Sequence, residues 1–328
     1  MQACLTFIVA IAIWFVGMPA VVQAEQPKRL LQIGFLNPLV LADYPAKDPT
    51  KDAVLEGLKA FGYVEGKNIH LDYRVARKTE ELAEIAHDLV GQKVDVIITG
   101  GPLPIEAARH ATDSIPIVII ACDRVERLVA TIARPGGNIT GMACISSDLA
   151  AKRLQLLQQV VPGLSRVAVL YNGGARAKVD ELGDTTAAAK TLEIEVQPAD
   201  VRDASGFTTA FAAIKAGNPQ GLIALAEPLT FAHRKDIAEF AAEQRLPSMY
   251  GFREFCDAGG LLCYGTNLLD EWRRCGYFID KIVKGTKPGD IPIEEPTTFE
   301  LVVNNRVAKS LGLTLPTSIL IGANELIE

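Results

Sequence analysis

Continuous apolar runs alternate with helical patterns, and the alternation occurs twice. In the first half the runs are Leu31–Leu36, Ile69–Val75, Val94–Thr99 and Ile115–Ala121. Helical patterns lie between them near Thr50–Phe61, Glu80–Gln92 and Ile105–Thr112. The second half repeats the plan with Val167–Tyr171, Glu193–Ala199, Gly221–Ala226 and Leu246–Tyr250. Its helical patterns fall near Lys178–Leu192, Gly206–Ala216 and Phe231–Arg245. Unbroken Val/Ile/Leu runs mark strands buried on both faces of a parallel sheet. Alternation with helices makes the class α/β and doubly wound. Val94–Ile98 corresponds to Gln220–Ala224, and Ile115–Val118 to Leu246–Met249. The offset is about 125–135 residues, too long for a solenoid repeat and right for two similar lobes.

Between the halves, Pro135-Gly136-Gly137-Asn138 is a strong turn signal. Ile139–Ile145 is expected to be extended, followed by a helix over Leu149–Val161. A second extended run, Leu261–Thr266, follows Gly259-Gly260. Both are expected to cross between the lobes and to act as a hinge. The chain opens on an uncharged apolar stretch whose unbroken part, Phe7–Val16, has the length of a signal-peptide core. Val22-Gln23-Ala24 stands where a signal peptidase cuts, so residues 1–24 are expected to be a cleaved signal peptide and the mature chain periplasmic.

A net charge of -6 argues against a nucleic-acid partner. There is no P-loop, no G-x-G-x-x-G after a strand, no H-E-x-x-H and no G-x-S-x-G elbow. Paired acids such as Glu80-Glu81 lie in polar stretches and read as solvated faces. No catalytic residue, metal or cofactor is therefore expected. Five cysteines follow Ala24, and none forms C-x-x-C. A Cys256–Cys263 bridge is geometrically possible, but the expectation is five free thiols.

Ligands of open α/β sheets bind outside the carboxyl ends of the strands. Those ends carry Asn37, Gly100, Gly101, Asp123, Arg124, Tyr171, Asn172, Glu227 and Tyr250, with Ser146, Ser147 and Tyr264 near the crossings. Free N–H groups beside Gly100-Gly101 suit a carboxylate. Arg124 offers a planar fork for a carboxylate or is a surface arginine. Ser146-Ser147 caps the next helix or meets the ligand. Glu227 either pairs with a ligand ammonium or serves the following helix start at Pro228. The tyrosines combine a flat apolar face with a polar tip, which suits an aromatic or amphipathic ligand.

Several segments together resemble one family. They are Gly62–Ile69, Ala133–Gly141, Ala151–Leu154, Arg253–Phe255 with Ala258–Leu261 and Tyr264-Gly265, and the tail Phe299–Asn304 with Ala308–Leu313. The chain is similar, over nearly all of Leu31–Glu328, to the ABC-transporter substrate-binding proteins that include tryptophan- and tyrosine-binding members. The resemblance implies a type I periplasmic-binding-protein fold: two Rossmann-like lobes, a three-crossover hinge and no catalysis. It places lobe 1 at 25–143 plus about 266–328, with the lobe of the last 30 residues left open, and lobe 2 at 144–265. It implies a monomer that captures an amino acid or an aromatic or organic acid for an ABC permease in the inner membrane. The alternatives are a ligand-sensing periplasmic receptor subunit and an enzyme using the same cleft. The chain departs from the family at Pro102-Leu103, where a hydroxyl residue is common, at Arg124, and at Gly173 after Asn172.

Overall fold

The computed structural model describes residues 29–37, 49–121, 125–144 and 149–328. The expected signal peptide lies outside these residues. The first sheet is five-stranded and parallel, in the order β2-β1-β3-β4-β5. Its strands are β1 (Leu31–Asn37), β2 (Ile69–Val75), β3 (Val96–Gly100), β4 (Ile117–Ala121) and β5 (Ile139–Ala143). Every residue of β3, β4 and β5 is buried, which accounts for their unbroken apolar sequence. Helices α1 (Pro49–Ala60), α2 (Glu81–Gly91) and α3 (Pro102–Ala111) connect the first four strands.

Helix α4 (Ala150–Val160) opens the second lobe. Its parallel strands are β6 (Arg166–Tyr171), β7 (Glu195–Asp200), β8 (Gly221–Ala224), β9 (Ser248–Tyr250) and β10 (Leu262–Gly265). They lie in the order β10-β9-β8-β6-β7, the same winding as the first sheet. Helices α5 (Arg176–Thr191) and α6 (Phe207–Gly217) link the earlier strands. The helical pattern near Phe231–Arg245 is two helices, α7 (Pro228–Ala232) and α8 (Arg234–Glu243), and a short α9 (Arg253–Asp257) follows β9. The two extended runs expected to cross between lobes are the fifth strands of their sheets, β5 and β10, and the crossings begin where they end.

The tail divides between the lobes. Helix α10 (Leu268–Val283) leaves β10 and packs on α1 of the first lobe. The two helices meet on glycine: a Cβ on Gly57 would stand 1.9 Å from the Arg273 carbonyl oxygen, and one on Gly276 2.2 Å from that of Gly57. Farther on, Glu294 is tied to β5 by hydrogen bonds with Gly141 and Ala143. Arg274 of α10 grips the Glu294 carboxylate through two bonds of 2.7 Å. The chain then returns to the second sheet as β11 (Glu300–Asn304), antiparallel to β10. Helices α11 (Asn305–Leu311) and α12 (Thr317–Gly322) precede the edge strand β12 (Glu325–Ile327). The last 30 residues, whose lobe the sequence left open, join the second sheet from β11 onward. Val302 and Val303 find buried ladder partners only beside β10, where the second sheet still has a free edge.

The cysteine expectation is corrected too. Cys256 and Cys263 form a disulfide, with Cα atoms 6.0 Å apart, and Cys144 is also disulfide-bonded. Cys275 is the free, buried thiol among the described residues. The Cys256–Cys263 bridge is possible because α9 folds back over β10 and brings the two sulfurs together.

Candidate functional site: the interlobe cleft

The carboxyl ends of both sheets face one another. On the first lobe, β3 ends at Gly100 and the chain turns into α3 at Gly101, whose φ of +84° suits glycine. A Cβ on Gly101 would lie 2.6 Å from Cγ of Pro228, the first residue of α7 on the second lobe. Gly100 is backed by Trp272 of α10, whose ring a Cβ there would meet at 2.7 Å. The lobes thus touch at Gly101 and Pro228. They meet again at the Arg127–Asp180 ion pair, which joins the loop after β4 to α5. A cavity of about 390 Å³ lies between these elements, walled by Pro102, Leu103 and Arg127 on one side and Gly174, Arg176 and Asp180 on the other. Pro102 and Leu103 offer it apolar surface.

Asn37, at the end of β1, is buried and donates to the Tyr73 hydroxyl. The Tyr73 ring packs edge-on against Phe35, 5.3 Å between centroids, and the Lys51 ammonium sits over it at 5.2 Å. Across the cleft, Asn172 follows β6. Its Oδ1 accepts from the Gly174 N–H at 2.8 Å and its Nδ2 points at Glu227 Oε2, 3.5 Å away. Glu227 is the N-cap of α7: its Oε1 accepts from the Thr230 N–H, and the Thr230 hydroxyl accepts from the Glu227 N–H. Burial pushes the Glu227 carboxyl above its usual range, against the pull of the Leu229 and Thr230 N–H groups and of Lys178. Both Glu227 oxygens are therefore engaged within the second lobe.

Behind Glu227 lies a buried ionic chain. Lys178 donates to Glu181 at 2.7 Å, Arg153 reaches the other Glu181 oxygen at 3.4 Å, and Arg153 Nε donates to the Tyr264 carbonyl at 2.9 Å. None of the three charged residues is more than 4% exposed, so the chain fixes the floor of the second lobe rather than its surface. Sequence reasoning missed Lys178 and Glu181. Their only signal is an i, i+3 pair near the start of a helix, which usually marks a solvated face.

Of the anticipated residues, the structure brings together Gly100, Gly101, Asn172 and Glu227, with Asn37 on the facing wall. Tyr171 is half-buried at the end of β6, and burial together with Asp200 raises its phenol. Tyr250 needs correction as a ligand contact: it is fully buried, and its ring stacks on Phe255 beneath α9 at 4.7 Å. Tyr264 also serves packing, its ring turned to Phe299 at 6.2 Å while its carbonyl holds Arg153. Asp123, Arg124, Ser146 and Ser147 lie outside the described residues.

Two winding-matched lobes that touch across a cleft, with three chain crossings at one end, define a type I periplasmic-binding-protein fold. The chain belongs to the ABC transporter substrate binding protein family, whose model matches residues 36–327. It is 27% identical over 280 residues to a tyrosine-binding protein of Clostridioides difficile, covering 83% of this chain and 79% of that one. A conserved domain protein of Vibrio cholerae superposes with a TM-score of 0.83 at 25% identity, over 90% of this chain and 99% of that one. A Streptococcus pneumonia ABC domain solved with L-Trp gives 0.80 at 21% identity, over 90% and 100%. Among the described residues, no helix is long and apolar enough to cross a membrane.

Proposed function

We propose that this chain is the periplasmic substrate-binding component of an ABC importer. It captures an amino acid or an aromatic or organic acid between its lobes and hands it, unchanged, to a permease in the inner membrane. The protein works as a monomer after removal of residues 1–24. The observation that carries this reading is the meeting of Gly101 and Pro228 across the cleft, beside polar groups supplied by both lobes. A ligand stabilises a closed form only through contacts that the open form lacks. At the α3 start the Leu103 N–H is the one left for a carboxylate, because the Gly101 N–H donates to the Ile120 carbonyl, the Ile105 N–H donates to the Gly101 carbonyl, and Pro102 and Pro104 carry none. The names of the relatives, one a tyrosine-binding protein and one solved with L-Trp, favour an aromatic amino acid.

Native mass spectrometry of protein purified without unfolding tests the reading. The expected result is a small organic adduct that leaves on denaturation. Amino acids and aromatic acids from a defined panel should exchange into its place and be recovered unchanged. Recovery of a converted product would overturn the transport reading in favour of an enzyme.

A further inference from the structure

Three buried polar atoms near the second crossover lack a hydrogen-bond partner: Glu254 Oε2, Thr266 Oγ1 and Glu271 Oε1. Thr266 lies in the crossover itself, between β10 and α10, and is 5% exposed. Glu271 stands in the first turn of α10 and is 3% exposed. Its second oxygen lies 3.1 Å from the Cys144 sulfur, which is in a disulfide and has no proton to give. The Thr266 hydroxyl is near enough to favour the charged form of Glu271 without closing a hydrogen bond. Glu254, at the start of α9, is near enough for the two carboxylates to repel. Beside Glu271 and Thr266 opens a cavity of about 480 Å³, also lined by Met142, Asp270 and Arg274.

A buried carboxyl oxygen with no hydrogen-bond partner is costly, and ionising that carboxyl with a second one nearby is costlier. Both costs vanish if a cation with several donors enters. A divalent metal is a poor match, because it takes six or more oxygens and no group of three metal-ligating side chains occurs among the described residues. A primary ammonium, with one charge and three N–H donors, matches two carboxylates and a hydroxyl. The partners also come from both sides of the hinge, since α9 belongs to the second lobe and α10 packs on the first. Glu227, by contrast, already has its oxygens engaged.

We infer that Glu271, with Thr266 and Glu254, receives the ammonium group of the ligand at the hinge end of the cleft, and so selects small molecules that carry a primary amine. The inference rests on the ligand-capture reading and deepens it. Titration of wild type, Glu271→Gln and Thr266→Val with matched pairs tests it: L-tyrosine against phloretic acid, its deaminated analogue, and L-tryptophan against indolepropionic acid. Wild type should prefer the amine of each pair. Glu271→Gln should lose roughly ten- to a hundredfold in affinity for the amines alone, the scale of a hydrogen bond to a charged group. Thr266→Val should lose less, in the same direction. An undiminished amine preference in both variants overturns the inference while leaving ligand capture intact. Thermal shifts with methylammonium and tetramethylammonium at matched ionic strength separate the two failures. Stabilisation of wild type by methylammonium alone, absent in Glu271→Gln, keeps the cation site even if no amino acid binds. Equal shifts in wild type and variant, or none in either, count against the site.

Discussion

Replacing Gly101 with alanine should weaken ligand binding at least tenfold, and the loss should be reversed by shortening Pro228. Two effects act at this position and can be separated. The backbone φ of +84° is left-handed, where an L side chain costs about 1–2 kcal/mol whether the cleft is open or closed. That part appears as lowered folding stability. The second effect exists only when the lobes meet: the new Cβ would lie 2.6 Å from Pro228 Cγ. A proline ring cannot swing aside as a long side chain does, so the closed form is penalised selectively. Affinity falls with the fraction of molecules able to close. In the double variant Gly101→Ala/Pro228→Ala the ring atoms are gone, so affinity should recover while stability stays low. Calorimetric affinities and urea midpoints for the four proteins form the cycle. Wild-type affinity in Gly101→Ala would mean that closure does not bring these residues together.

Glu271 should give stability a marked pH dependence. Burial, with Glu254 and Asp270 as like-charged neighbours, pushes its carboxyl from an ordinary 4.5 up to about 8, and Thr266 opposes the shift. Cys144 and the buried Cys275 thiol, itself pushed up by burial and then by Glu271, also lie beside it. Between these pH values the folded ligand-free protein holds a proton that the unfolded chain has released. The folded state then binds more protons, so stability falls as pH rises from about 4.5 to about 8 and levels off above that. Each pH unit in the window is worth up to about 1.4 kcal/mol, so the total reaches several kcal/mol. Glu271→Gln keeps the shape of the protonated acid without its ionisation. It should match wild type at acidic pH, exceed it at alkaline pH and have a flatter profile. Glu227 and Glu254 are raised by burial as well, so a slope of the same sign should remain in the variant. Urea unfolding across the pH range measures this, and identical slopes for the two proteins would contradict it.

The strands were legible in the sequence because their environment is uniform. A run such as Ile117–Ala121 is buried on both faces, and no other context demands unbroken apolar residues so short and so branched. The repeated winding followed from the same pattern. Gly101 and Glu227 were legible because strand ends and helix starts restrict residue type. Tyr250 misled because successive strand residues point to opposite faces, and the sequence does not say which face of β9 lies under α9. Arg153, Lys178, Glu181 and Glu271 were invisible for a related reason. A charged residue in an amphipathic helix reads as solvated unless one knows what packs over it; here α4 and α5 pack together around Arg153, Lys178 and Glu181, and Glu271 lies beside the crossover at Thr266. Trp272 was missed likewise: its contact with Gly100 joins segments far apart in sequence. The return of β11 to the second sheet depends on a free edge beside β10, which is a property of the assembled lobe.

Titration calorimetry with L-tyrosine and L-tryptophan on protein freed of co-purified ligand tests the central claim most directly. The account predicts one site per chain, weakened by Gly101→Ala and accompanied by a rise in unfolding temperature, with the amino acid recovered intact. Absence of binding by either of these amino acids and by the rest of the amino-acid and aromatic-acid panel, in protein shown to be folded, would contradict it.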